Sequence, residues 1–251
     1  MSAPIAGLTT AQPQAHAPVA ARAAAIVILA RDGAEGLEVF MMQRTRAADF
    51  VPGANVFPGG AVDDIDGQHA SFAHCAGLDD AAASRKLGLA HGGLAYWVGA
   101  IRECFEESGL LLATGADGNY VALDTPQAAA LYGELRRQLN AGEITLGEIC
   151  ARQGLRLAVD RMAYFSHWIT PMGMSRRYDT RFFTADASAI VHEVGGMVGP
   201  DSELVELVWV RLSEARKLDI LTITEMVLED LQKQIEDGFR PDAVPYLYER
   251  P

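Results

Sequence analysis

Short apolar runs alternate with stretches of helical period along most of the chain. Residues 24–30 (AAIVILA) read as a buried strand and 37–43 (LEVFMMQ) as a second, joined across a turn at Arg31-Asp32-Gly33. Residues 55–57 lead into a turn at Gly59-Gly60, and a helix over 93–108 follows, stopped by Gly109 in the C′ position. Thr125 as N-cap with Pro126 at N1 opens another helix, whose Leu131, Leu135 and Leu139 share one stripe and which Gly142 ends. Thr145 caps a shorter helix to Arg152, and strands resume at 163–170, 178–185 and 204–210. A last helix over 222–239 begins with a Thr222/Glu225 capping box ahead of Met226, Val227, Leu231 and Ile235. The pattern contains no internal repeat.

The helix at 93–108 ends on chemistry. Arg102-Glu103-Cys104-Phe105-Glu106-Glu107-Ser108-Gly109-Leu110 packs three carboxylates and an arginine into a turn and a half. Glu106 and Glu107 stand three and four residues beyond Glu103, so at about 3.6 residues per turn all three side chains leave one face. Without a cation they repel one another. Hard divalent ions such as Mg²⁺ or Mn²⁺ take oxygen ligands, and Mg²⁺ is commonly held by one or two carboxylates together with substrate phosphates. The plain alternative is a solvated acidic face with an Arg102–Glu106 pair. Upstream, Phe57-Pro58-Gly59-Gly60 puts a strand end and a glycine-rich turn ahead of the helix, and that breaks the tie.

Together the two pieces resemble the signature of the Nudix hydrolases, G-x5-E-x7-R-E-U-x-E-E-x-G-U, with U a bulky apolar residue. Gly60 supplies the first glycine, and Arg102, Glu103, Cys104, Glu106, Glu107, Gly109 and Leu110 fill the second half, with Cys104 a small stand-in for U. The chain departs from the pattern twice. Asp66 stands where the motif has Glu, and the arginine that unbroken spacing places at 74 stands at 102. Residues 67–93 can loop out while turn and helix still meet, because loop closure costs an entropy that grows slowly with length. Ala81-Ala82-Ala83 with Leu87 and Leu89 gives that segment a short helix with one apolar edge. It is expected to narrow the pocket as a local helical lobe and to be replaceable by a short linker without loss of folding.

The resemblance covers about residues 24–235 and implies an α/β fold, the Nudix-type α/β/α sandwich, in which helices cover a mixed sheet. It implies one domain over 21–251 with helical insertions at about 67–93 and 123–160. By the same resemblance Glu106 and Glu107 are metal ligands for Mg²⁺ or Mn²⁺, and Glu103 is a further ligand or a base. Arg102 is the ion-pair partner that orients a glutamate, and Gly59 and Gly60 form the turn against the substrate.

Further candidates each carry a plain alternative. Glu203 and Glu206 flank a strand, and Glu206 could serve as a late ligand or general base, or be one of the acidic residues common on exposed strand faces. Arg44 and Arg46, ahead of the turn, could clamp phosphate by bidentate contacts or be solvated strand-end arginines. Residues 167–183 resemble a stretch of long-insert Nudix proteins, a subgroup that includes a peroxisomal coenzyme A diphosphatase. There Arg176 and Arg177 would hold a terminal phosphate and Trp168 would stack on a base, against a core Trp and surface Arg. The coenzyme A signature of some Nudix enzymes is only partly met, since Arg44 fits its first arginine but Asp49 stands where the second is expected, and the spacing to Phe57-Pro58-Gly59-Gly60 is one residue short. His69, His74, His91 and His192 show no metal-ligand spacing.

Composition sets limits. At 251 residues and 49% hydrophobic, the chain can bury a sizeable core, and no apolar run approaches the ~18 residues of a membrane span. Residues 1–20, rich in Ala, Pro, Thr and Gln, lack a signal peptide's basic and apolar regions and read as a disordered leader. Cys75, Cys104 and Cys150 are odd in number and lack CxxC spacing, which argues against disulfides and a zinc ribbon and for a reducing cytoplasm. A net charge of −12 argues against nucleic acid as a partner, while metal ions and a few local arginines can still invert the field for a diphosphate.

The expected activity is therefore Mg²⁺- or Mn²⁺-dependent hydrolysis of a small molecule in which a nucleoside diphosphate is linked to another moiety. Coenzyme A or an acyl derivative ranks first by resemblance, with ADP-ribose or a nucleotide sugar next and a homodimer left open. A Nudix-fold nucleotide sensor is the non-enzyme alternative, and the presence of all three glutamates argues against it.

Overall fold

The computed structural model describes residues 19–47, 52–190, 204–238 and 246–249. Asp49, His192, Glu203 and most of the expected leader lie outside them. Strands β1 (Arg22–Gly33) and β2 (Gly36–Arg44) form an antiparallel hairpin. The ladder runs on to Gly33↔Gly36, so the turn is Ala34-Glu35 and not Arg31–Gly33. Arg31 fits the ladder because its Nε donates to Glu38 across the strands at 2.8 Å and its guanidinium lies 4.0 Å over the Trp209 ring.

Toward their other ends β1 and β2 diverge. The segment β3 (Asn55–Val56), Phe57-Pro58, β4 (Gly59–Ala61) fills the fork, β3 pairing with Met42 and Gln43, β4 with Ala24–Ile26. Gly59-Gly60 is thus a strand wedged against β1 and not a turn. A Cβ on Gly59 would lie 2.5 Å from the Ala25 carbonyl oxygen, closer than any side chain can approach.

A 3₁₀ turn (Asp64–Gly67) leads to α1 (His69–Phe72), α2 (Asp80–Leu87) and α3 (Leu94–Ser108). Then come β5 (Ala113–Thr114), α4 (Pro126–Asn140), α5 (Leu146–Gln153), β6 (Arg156–Leu157), β7 (Met162–Ile169) and β8 (Tyr178–Asp186). The described chain ends with β9 (Leu204–Arg211), α6 (Leu212–Ala215), α7 (Thr222–Glu236) and β10 (Tyr246–Glu249).

Among the described residues the main sheet has eight strands in the order β10-β7-β8-β1-β2-β3, with β4 also on β1 and β9 on β2. β8 runs parallel to β1 and β10 to β7, and the other pairs are antiparallel. Strand alternation splits the core into two layers. Val27, Leu29, Phe40, Met42 and Phe183 face α3, while Ile28, Val39, Met41, Phe165 and Phe182 face α6 and α7. The expected mixed α/β/α arrangement is the one observed.

Caps at Thr125 and Thr145 form as the sequence predicts, accepting from Ala128 N at 3.2 Å and Glu148 N at 3.1 Å. Thr222 does not cap α7: the N-cap is Leu221, and Glu225 meets Arg216 at 3.5 Å instead. On α4 Leu131 is 44% exposed, and the buried stripe is Tyr132, Leu135, Arg136 and Leu139.

Residues 67–93 form short helices but do not loop out. Ala83 and Leu87 lie in the α3-side core, and a Cβ on Gly93 would come within 2.4 Å of Ser84 N. Asp80 accepts from Gly92 N and Leu94 N at 3.0 Å each, so this segment caps the N-terminus of α3. That placement argues against a dispensable lobe. Among the described residues no helix is long and apolar enough to cross a membrane.

Candidate active site

Helix α3 lies on the sheet with most of its residues buried, and Gly109 ends it at φ 77°, a left-handed position that suits glycine. Its carboxylates converge on the wedge strand β4. Glu107 Oε2 accepts from Gly59 N at 2.9 Å, and Gly60 is so close to Glu103 that a Cβ there would lie 2.6 Å from the carboxyl carbon. The glycines bring their backbone to the acids, which a side chain would prevent.

Arg102 is the hub. Its Nε and Nη2 donate to the two oxygens of Asp66 at 2.8 and 2.9 Å, Nη2 also to Ala61 O at 2.9 Å, and Nη1 to Glu103 at 3.0 Å and Glu106 at 2.9 Å. Those bonds match the five N–H groups of a guanidinium one for one. Asp66, 1% exposed, fills the place where the motif has Glu. Its shorter side chain reaches because the 3₁₀ turn lies against α3 at Gly99, where a Cβ would sit 3.0 Å from Asp66 Oδ2. Asp63 adds a further ion pair to Arg102 at 3.6 Å.

Burial dominates the electrostatics. It pushes the Glu103 carboxyl up to about 7 against the pull of Arg102, with Glu106 and Asp66 adding repulsion. Burial also pushes Glu107 up to about 8, opposed by the Gly59 N–H and by Arg44, and raises Glu106. At Arg102 burial works against the charge, but Asp66, Glu103 and Glu106 hold the guanidinium above its ordinary range. Crowded, desolvated carboxylates of this kind are stabilised by a cation.

Among the described residues no three Asp, Glu, His or Cys side chains form a ready metal cage. The reason is visible in the bonds just given, since Glu103 and Glu106 turn onto Arg102 and Glu107 onto Gly59. Those bonds engage one oxygen of each glutamate, and the donor set is all oxygen, so a hard divalent ion fits it chemically.

The other candidates separate by face. Arg44 sits on the α3 face of β2 with Phe40 and Met42, close enough to Glu107 to lower its pKa. Arg46 is exposed in the turn after β2. Glu206 pairs with Gln43, while its neighbours Leu207 and Trp209 take the α3 face of β9. Alternation therefore points Glu206 away from the three glutamates, and the structure does not bring it into their site. Trp168 is buried on the α7 face with Phe165 and Phe182, its Nε1 donating to Ser166 at 3.3 Å, so it offers no stacking surface and the core reading holds. Arg177 donates to Thr170 O at 3.0 Å and Val19 O at 2.8 Å, which ties down the β7–β8 loop, and Arg176 beside it is exposed.

Several residues escape a reading by sequence alone. Arg136 and Asn140 of α4 reach the C-terminal carbonyls of α3. A charged residue in an otherwise apolar helical stripe was the available signal. On the α3 face of β7 and β8, His167 meets Asp179 at 2.5 Å, Asp179 pairs with Arg181, and Arg181 lies 5.0 Å from the Tyr96 ring. Burial opposes ionisation of Asp179, but His167 and Arg181 hold its carboxyl below the usual range. A cavity of about 980 Å³ opens elsewhere, lined by Arg31, Asp32, Leu78, Trp97 and Tyr164. Its lining reaches Trp97, less than two turns before Glu103 on α3, but includes none of the three glutamates.

The family described as the NUDT19 Nudix domain matches residues 68–221, a span that begins just beyond Asp66 and takes in all three glutamates. The chain is 32% identical over 182 residues to the acyl-coenzyme A diphosphatase NUDT19 of Gallus gallus, covering 58% of this chain and 47% of that one. With the protein of the same name from Homo sapiens it shares 30% identity over 182 residues, covering 60% and 48%. The chain thus spans about half the length of these curated relatives. The crystal structure of a NUDIX hydrolase from Alicyclobacillus acidocaldarius matches with a TM-score of 0.65 at 25% identity, over 84% of this chain and 90% of that one.

Proposed function

The chain belongs to the Nudix hydrolase family, in its NUDT19 group, and from that premise we propose that it hydrolyses the diphosphate of a nucleotide-linked small molecule with the help of Mg²⁺ or Mn²⁺. The observation that carries this reading is the node in which Arg102 holds Asp66, Glu103 and Glu106 while Gly59 N holds Glu107. Glu106, Glu107 and Glu103 would hold the ion. When bound, such an ion offsets the charge of the diphosphate and makes water a better nucleophile near neutral pH.

The chain's own residues do the rest. Arg102 fixes the directions of Glu103 and Glu106, and Asp66 fixes Arg102. Gly60 keeps the wall beside Glu103 free of a side chain, and Gly59, pressed against β1, gives its N–H to Glu107. Glu206 lies on the other face of the sheet and Glu203 outside the described residues, and we take Glu103, beside the other two glutamates, as the base for the attacking water.

We rank coenzyme A or an acyl derivative first as substrate, because the chicken and human relatives carry that activity in their names, with ADP-ribose or a nucleotide sugar second. One domain over residues 21–251 accords with a main sheet that takes in strands from β1 to β10, and a reducing, cytoplasmic setting accords with three buried free cysteines. The net charge of −12 supports a small-molecule partner over nucleic acid.

The test is a panel of acyl-coenzyme A, coenzyme A, ADP-ribose and nucleotide sugars assayed with Mg²⁺ and with Mn²⁺, on the parent and on Glu107→Gln. Metal-dependent cleavage by the parent, lowered at least ~100-fold in kcat by the substitution, is the expected result. Binding of a nucleotide with no turnover of any substrate would establish the sensor alternative.

A further inference from the structure

Glu106 and Glu107 sit in the last turn of α3, where a helix leaves its final carbonyls without backbone partners. Two of the carbonyls nearby are satisfied within the helix end, Phe105 O by Gly109 N at 2.9 Å and Cys104 O by the Ser108 hydroxyl at 2.6 Å. The carbonyls of the two glutamates are met from outside. Arg136 Nε donates to Glu106 O at 2.8 Å and its Nη2 to Glu107 O at 2.7 Å. Asn140, one turn further along α4, adds Nδ2 to Glu106 O at 3.4 Å.

Arg136 is only 8% exposed and shares its stripe with Tyr132, Leu135 and Leu139. Burying a guanidinium where an apolar residue would pack costs free energy, so the position calls for an explanation in what the charge does. Its two carbonyl partners belong to the two adjacent glutamates of the signature. The planar fork spans both at once, which a lysine's single ammonium cannot do as well. Fixing two successive carbonyls sets the backbone from which the Glu106 and Glu107 side chains project, and the positive charge opposes the negative end of the helix dipole beside them.

We propose that Arg136 is a positioning residue for the metal-binding pair, aided by Asn140, so that the second insertion is a working part of the active site. The inference rests on the metal-dependent reading given above. A helix cap and nothing more would change stability alone, whereas positioning changes how well the site takes a cation.

The experiment compares the full chain with Arg136→Gln, Arg136→Lys and Asn140→Ala, well below their melting temperatures. Mn²⁺ binding is followed by the paramagnetic resonance of the free ion, and amide hydrogen exchange over residues 106–109 is measured without metal. For Arg136→Gln the expected result is Mn²⁺ affinity lower by about 10- to 100-fold, the range for outer partners of metal ligands. Exchange at 106–109 should quicken, and kcat should fall with little change in the KM of the diphosphate substrate. Arg136→Lys should recover part of the affinity, and Asn140→Ala should lose less than Arg136→Gln.

Parental Mn²⁺ affinity in a folded Arg136→Gln protein would overturn the proposal, whatever its melting temperature. If Arg136→Gln does not fold, parental affinity in both Arg136→Lys and Asn140→Ala overturns it equally. A parent that binds no Mn²⁺ would take the metal reading and this inference down together.

Discussion

Glu103 and Glu107 show how much of this site's behaviour depends on a single side chain's surroundings. Their carboxyls are pushed to about 7 and about 8 from an ordinary 4.5, first by burial and then by neighbouring carboxylates, Glu106 and Asp66 acting on Glu103, and Glu103 and Glu106 on Glu107. Between those limits the metal-free folded protein binds more protons than the unfolded chain, so stability present at low pH is lost as pH rises through the folded values. The melting temperature of the chelated protein should therefore fall between about pH 5 and pH 8.5, and saturating Mn²⁺ should reverse the fall by favouring the ionised acids. Glu107→Gln should flatten the chelated profile. Differential scanning fluorimetry across that range checks it, and a chelated profile that stayed level or climbed would contradict the assigned burial of these groups.

At the scale of elements, α3 is held at both ends by charge from the two insertions. Asp80 caps its positive N-terminus and Arg136 its negative C-terminus, each sign opposing the helix dipole. Asp80→Ala should cost about 1–2 kcal/mol, the usual worth of a cap, and lower the melting temperature by roughly 2–8 °C for a chain of this size. Deleting residues 67–93 should go further and prevent folding, since Ala83 and Leu87 go with the cap. A deletion protein that melted cooperatively at the parental temperature would restore the dispensable-lobe reading.

This also marks where the sequence is legible. The periodicity of 93–108 and Gly109 specify α3 locally, as Thr125 and Thr145 specify their helices, because those signals act within one turn. Asp66 meeting Arg102, Asp80 meeting Leu94 and Arg136 meeting Glu106 are tertiary facts, set by how separate elements pack. Glu206 and Trp168 looked functional by type and neighbourhood, but strand alternation sends both to the far face, and only the register of β9 and β7 decides that.

For the whole molecule, a net charge of −12 repels a polyphosphate ligand, so affinity for one must come from local cations. The β7–β8 loop lies at the same end of the sheet as the carboxylates: β8 begins beside Arg22, Arg22 bonds Asp63 at 2.8 Å, and Asp63 pairs with Arg102. In that loop Arg177 holds backbone carbonyls and Arg176 is exposed, so the two have different tasks. Coenzyme A carries a 3′-phosphate beyond its diphosphate and dephospho-coenzyme A lacks it. If Arg176 meets that dianion, Arg176→Ala should raise KM for coenzyme A about 10-fold or more, from the ~1.5–3 kcal/mol of a hydrogen bond to a charged group, and leave dephospho-coenzyme A nearly unchanged. Because the contact would be made equally in the ground and transition states, kcat should hold. Arg177→Ala should shift KM for both substrates alike by loosening the loop. Equal shifts from Arg176→Ala would remove the 3′-phosphate role, and turnover confined to ADP-ribose would move the protein to the second substrate class.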